Sequence, residues 1–142
     1  MDADGSRATV LVANTDAAVC EVVARIVEAA GHEAVRLTEA DQIASAVVTA
    51  AADAVVLDLG AESLAVLTEL RSHHEPVVKA VRVVVLGTGP ANARLAWQAD
   101  ADAVLVRPFA ATGLQAELAS SLERNEAERR SLRIARSAAL AS

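Results

Sequence analysis

The sequence predicts an α/β fold: five parallel strands in one sheet, (βα)5 in chain order and doubly wound, with an extended helix at the C-terminal end. Three observations carry this expectation. Short runs of Val, Leu and Ala recur five times, each followed by a stretch with helical spacing. The runs are apolar throughout rather than alternating, the pattern of strands covered on both faces. And 142 residues suffice for one domain with its own core.

The elements follow in order. "TVLVA" (9–13) is the first strand, and Val19, Val22, Val23, Ile26, Val27 and Ala30 share helical spacing over 17–30. Asp16 is placed to cap that helix and Gly31 to end it. "EAVRL" (33–37) is the second strand, after which Thr38 can cap a helix through "EADQIASAVVTAAA". "DAVVLD" (53–58) is the third, followed by a helix around Leu64, Leu67 and Leu70. "RVVVLG" (82–87) precedes the loop "TGP" and a fourth helix holding Leu95 and Trp97. "DAVLV" (102–106), ended by Arg107-Pro108, is the fifth strand, and a fifth helix starts near Ala111.

"LERNEAERRSLRIARSAAL" (122–140) continues the fifth helix, but Asn125 and Arg129 interrupt any clean heptad, so no strong coiled coil is expected. A solvated tail, a helix that pairs with another subunit, and a stub leading to an output domain all remain open for it. The chain divides into a flexible N-terminus (1–7), the domain (8–123) and this helical extension (124–142).

Composition narrows the function. The only aromatic rings besides histidine belong to Trp97 and Phe109, so the core is aliphatic. A single cysteine, Cys20, excludes an internal disulfide framework and a cysteine-cluster zinc site; set among valines, it reads as a buried thiol. The acidic start "MDADGSRA" is not a secretory signal, and no apolar run approaches the roughly 18 residues of a membrane span, so a cytoplasmic protein is expected. Residues 1–109 carry 15 acids and 8 bases, while 110–142 carry 4 acids and 5 bases. An acidic body argues against direct nucleic-acid binding. His32, His73 and His74 show no ligand spacing, and His32, in a turn after Gly31, reads as a surface residue. Neither a phosphate-binding glycine loop nor a dinucleotide fingerprint is present, and no Ser-His-Asp arrangement can be assembled.

What remains is the C-terminal edge of the sheet, where open parallel sheets bind ligands. The third strand delivers Asp58 there, with Gly60 just beyond it. The first delivers Asn14, Thr15 and Asp16; the fourth Gly87 and Thr88; the fifth Arg107. An acceptor carboxylate, oxygen ligands and a cation are the ingredients of Mg²⁺-assisted phosphoryl transfer.

With these residues in place, "TVLVANTDAAV", "DAVVLDLGAES" and "DAVLVRPFAATGL" together make residues 8–123 resemble the receiver domain of bacterial two-component response regulators, a flavodoxin-like fold. The resemblance implies that Asp58 accepts a phosphoryl group from a histidine kinase, autophosphotransfer being the only catalysis expected. It also shows departures. The family's metal-holding acidic pair reads Asn14-Thr15, with Asp16 one position late, so Asp16 and Asp58 are left as a weak Mg²⁺ pair or none, and no cofactor is expected. The hydroxyl residue is Gly87, with Thr88 as a substitute; the lysine is Arg107; the aromatic switch position is Val104. The resulting reading is an atypical single-domain receiver acting through phosphorylation-independent protein contacts, with Arg107 clamping Asp58. A phosphorylation-competent receiver, or the N-terminal receiver of a longer transcriptional regulator, is the alternative. The expected partners are a histidine kinase or a downstream signalling protein. They would meet the face of the fourth helix, fifth strand and fifth helix, near Trp97, and a homodimer could use that face or the C-terminal helix. No membrane or direct nucleic-acid partner is expected.

Overall fold

The computed structural model describes residues 7–87 and 89–141. Strands β1 (Thr9–Ala13), β2 (Glu33–Leu37), β3 (Ala54–Leu57), β4 (Arg82–Leu86) and β5 (Ala103–Leu105) form one sheet in the order β2-β1-β3-β4-β5. Every neighbouring pair is parallel. The helices are α1 (Ala17–Ala29), α2 (Ile43–Thr49), α3 (Glu62–Arg71), a single turn α4 (Pro76–Lys79), α5 (Pro90–Gln98), α6 (Ala111–Glu123) and α7 (Glu126–Ala141). Among the described residues no helix is long and apolar enough to cross a membrane.

Successive residues of a strand face opposite sides, and the core divides accordingly. Val10, Val12, Val56, Val84 and Leu86 pack with Cys20, Val23 and Val27 of α1 and Leu114 and Leu118 of α6. Leu11, Ala13, Val55, Leu57, Val83 and Val85 pack on the other face with Ile43, Val47, Leu67, Leu70 and Ala96. The expected aliphatic core is therefore two cores, and Cys20 lies inside one of them.

Local chemistry explains most boundaries. The Asp16 carboxylate accepts from the Ala18 and Val19 N–H groups at the start of α1, and Gly31 ends that helix with φ +96°. The expected cap at Thr38 is replaced: a 3₁₀ turn (Ala40–Gln42) intervenes, and α2 starts at Ile43 without a side-chain cap. Asp53 and Asp102, each directly before a strand, accept an N–H from the start of the adjacent strand, Thr9 of β1 (2.9 Å) and Val83 of β4 (2.9 Å).

Two further expectations fail. His32 is 8% exposed rather than superficial, because its Nδ1 accepts the Ala8 N–H at 3.1 Å and the ring seals the foot of β1. The C-terminal helix is not one continuous extension. Arg124 is extended (φ −78°, ψ 135°), Asn125 and Glu128 form reciprocal side-chain caps, and α7 turns back on the domain. Arg129, 4% exposed, then reaches the buried Asp102 carboxylate (2.7 and 3.2 Å), joined by Arg133 (3.2 Å) and by Arg71 from α3 (2.9 Å). Burial alone would raise the Asp102 pKa, but the Arg129 hydrogen bonds and the three positive charges outweigh it and hold the carboxyl below its ordinary range. Arg136 lies over the Trp97 ring at 5.9 Å, and Trp97 is 9% exposed.

His32 generates a pH prediction. Burial holds its pKa below the ordinary 6.5, opposed by Asp53, so the folded state keeps it neutral. Protonation favours the unfolded chain. Stability is therefore complete above about pH 6.5 and declines as pH falls below it. Urea melts at pH 7.5 and 5.5 should show the lower midpoint at 5.5, and His32→Gln should flatten the difference; equal midpoints would remove the assignment.

Candidate functional site

The parallel register sets Ala13 beside Leu57. Their successors, Asn14 and Asp58, therefore leave the sheet side by side where the strand order reverses, between β1 and β3. The ladder continues one step past the strand ends, with Asn14 N–H donating to the Leu37 carbonyl, Asp58 N–H to Ala13, and Gly87 N–H to Leu105, at 3.1, 2.9 and 2.9 Å. The site thus rests on sheet geometry. Beyond Asp58, Gly60 adopts φ +62°, and Ser63 accepts the Leu59 N–H at 2.9 Å, fixing the turn into α3.

Asp58, 8% exposed, has three N–H donors. Arg107 Nη1 reaches Oδ1 at 2.9 Å and Nη2 reaches Oδ2 at 2.7 Å, a bidentate fork. Asn14 Nδ2 donates to Oδ2 at 2.7 Å, while Asn14 Oδ1 accepts the Asp16 N–H at 2.7 Å. Both ends of the Asn14 amide are therefore assigned. The hydrogen bonds that Arg107 donates to Asp58 raise its pKa, against a smaller effect of its partial burial. The guanidinium also lies 5.4 Å over the Phe109 ring, and its side chain is 43% exposed.

Gly87 is what lets the fork close. At φ +78° it occupies a region that side chains rarely enter, and a Cβ there would collide with Arg107 Nη1 and stand 3.3 Å from Asp58 Oδ1. The guanidinium occupies the space that the glycine leaves.

The structure brings Asn14, Asp58, Gly87 and Arg107 together. Asp16 is exposed and its carboxylate caps α1. Thr15 and Gly60 are exposed at the rim, Val104 packs against the core, and Trp97 lies under α7. Thr88 lies outside the described residues. The residues present do not fit Mg²⁺: the Asp58 carboxylate is already paired with a cation, Asn14 presents its N–H side to it, and Asp16 is committed to a helix end. No cluster of three or more His, Cys, Asp or Glu suited to a metal exists among the described residues.

Neither a protein-family model nor a curated protein matches the chain. Solved structures do. A Francisella response-regulator receiver domain superposes with a TM-score of 0.71 at 19% identity, over 82% of this chain and 98% of that one. A CheY-like receiver-domain protein from Methanospirillum hungatei gives 0.69 at 17%, over 83% and 95%. NtrX from Brucella abortus, solved with ADP, gives 0.73 at 25%, covering 90% of this chain but 29% of that one. The chain has the receiver-domain fold of response regulators.

Two substitutions test this geometry. Gly87→Ala should lower stability by about 1–3 kcal/mol through left-handed strain and loss of the fork. In an Arg107→Ala background, where the collision is absent, the loss should shrink; urea melts of the four combinations measure the coupling, and full additivity would refute the contact. Asn14→Asp replaces a donor with a second carboxylate against Asp58, so its melting temperature should drop, and the drop should lessen as pH falls through the carboxyl range.

Proposed function

We propose that the chain is an atypical receiver module that signals through protein–protein contact without phosphorylation of Asp58. The observation that carries the reading is the bidentate Arg107–Asp58 pair, completed by the Asn14 donor. An acceptor carboxylate must offer a free oxygen to phosphorus, with a divalent cation neutralising the transferred charge. Here both oxygens are engaged, and the neutralising charge is a side chain of the domain itself. Removing that side chain would leave a buried carboxylate with only Asn14, a loss of about 1–2 kcal/mol given the half-exposed arginine. The clamp thus holds the strand ends in one arrangement. The partner on this reading is another signalling protein, a histidine kinase or a downstream component, met at a surface whose shape is constant.

The test is a titration of the isotope-labelled chain with Mg²⁺ and beryllofluoride, a phosphoryl mimic, followed residue by residue by NMR. The expected result is no saturable shift at Asn14, Asp58, Gly87 or Arg107, in a spectrum that shows an intact fold. Saturable shifts clustered at those residues would overturn the reading and establish a phosphorylation-competent receiver.

A further inference from the structure

Two residues, Arg124 and Asn125, separate α6 from α7, and neither is Gly or Pro. Local propensity does not require a break there. The body of the domain imposes it. Arg82, at the start of β4, donates to the Ser121 and Arg124 carbonyls, each at 2.7 Å. Asn125 N–H donates to Glu128 Oε1, and Glu128 N–H to Asn125 Oδ1, each at 2.8 Å. In a straight helix the same four backbone groups would pair with one another, Asn125 N–H with the Ser121 carbonyl and Glu128 N–H with the Arg124 carbonyl. A straight elbow would therefore satisfy the same four backbone groups that the bent one satisfies through Arg82, Asn125 and Glu128.

The hold on α7 is separable from the body. Among the described residues none of α7 belongs to either apolar core; the helix packs along α5 and is anchored by Arg129 and Arg133 on Asp102 and by Arg136 over Trp97. The receiving side stands without it, since Asp102 also accepts from Val83 N–H and Arg71. Among the described residues the three buried polar side-chain atoms lacking a partner are Ser121 Oγ, Arg124 Nη1 and Arg133 Nε, all at the elbow or the seat. The seat is complementary in charge, an acidic body receiving a helix with four arginines and two glutamates.

We propose that two copies of this chain exchange α7: each elbow straightens, and the helix of each copy seats Arg129 and Arg133 on Asp102 of the other, over its Trp97. The product is a closed two-fold dimer, because the exchanged contact is reciprocal. The Asp102 and Trp97 contacts given up within one chain are remade between two, while the Arg82 bonds to the Ser121 and Arg124 carbonyls are exchanged for helix hydrogen bonds, so the balance turns on the elbow and on concentration. A short connection under tertiary constraint is where such exchange arises. The inference is independent of the state of Asp58.

The test is light scattering on concentrated full-length chain, with three variants. The wild-type chain should show a dimer fraction that rises with concentration. Asn125→Pro forbids the straight elbow, and the extended Arg124 backbone already suits a residue before proline. This variant should be monomeric with unchanged Trp97 emission. Asp102→Asn cannot receive α7 and Arg129→Ala/Arg133→Ala cannot deliver it, so each should be monomeric alone. Their mixture should dimerise through one exchanged helix, the Asp102→Asn chain delivering α7 to the double variant, since neither chain retains the Arg129 and Arg133 contacts to Asp102 within itself. Should Asp102→Asn fail to fold, tagged wild-type chain replaces it and should capture the double variant. A wild-type chain that is monomeric at every concentration, a dimer undiminished by Asn125→Pro, or a capture that fails overturns the proposal.

Discussion

A parallel sheet covered on both faces leaves its polar groups only one place to go, the strand ends. The buried carboxylates Asp58 and Asp102 are both found there. The strand interiors of β1, β3 and β4 are Ala, Val and Leu with almost no exposure, and the ladder satisfies their backbone. Asn14, Asp58, Gly87 and Arg107 stand at or beyond the C-terminal ends, while Asp53, Asp102, His32 and Arg82 stand at the N-terminal ends. Register then decides which of them meet. Because β1 and β3 are neighbours in step, the residues leaving them cannot avoid each other, and Asn14 against Asp58 is a consequence of the sheet before it is a feature of a site.

The four residues at the upper edge are interdependent. Two carboxylates at the Asn14 and Asp58 positions would need a cation between them; an amide supplies a donor and removes that need. A side chain at Gly87 would exclude the guanidinium, and without the guanidinium Asp58 would be a buried charge with one partner. Each departure from the receiver pattern is unremarkable alone. Together they make one set of mutually dependent contacts built from fixed side chains.

Periodicity and apolar runs made the five strands and the order of the helices legible in the sequence, because burial on two faces writes itself along the chain at short range. The Asp58–Arg107 clamp was legible once the strand ends were aligned. The roles of Gly87 and Asn14 were not, since a close approach and an amide orientation depend on residues 20 and 44 positions away. The C-terminal segment was misread for the same reason. Asn125 and Arg129 look like interruptions of an apolar stripe; in space one caps a helix and the other is its buried anchor on a carboxylate 27 residues earlier. A polar residue in an amphipathic stretch can mark a joint as well as a surface.

The two ends of the sheet treat a buried carboxylate differently, and the difference bears on their mobility. Asp102 meets three arginines, two of them on a helix outside both cores, and burial draws Arg71 down to about 10 in their company. Glu126 pairs with Arg129 and Asp100 lies near Arg71, so both signs of charge meet at this seat. Asp58 meets one arginine, carried on the β5–α6 loop and stacked on Phe109, with Asn14 alongside. Charge is balanced there. The upper pair is carried by the domain body and the lower one by a helix outside both cores, so the packing makes the lower seat the movable one. In this chain the part of a receiver fold suited to change state is the helix seated at its foot.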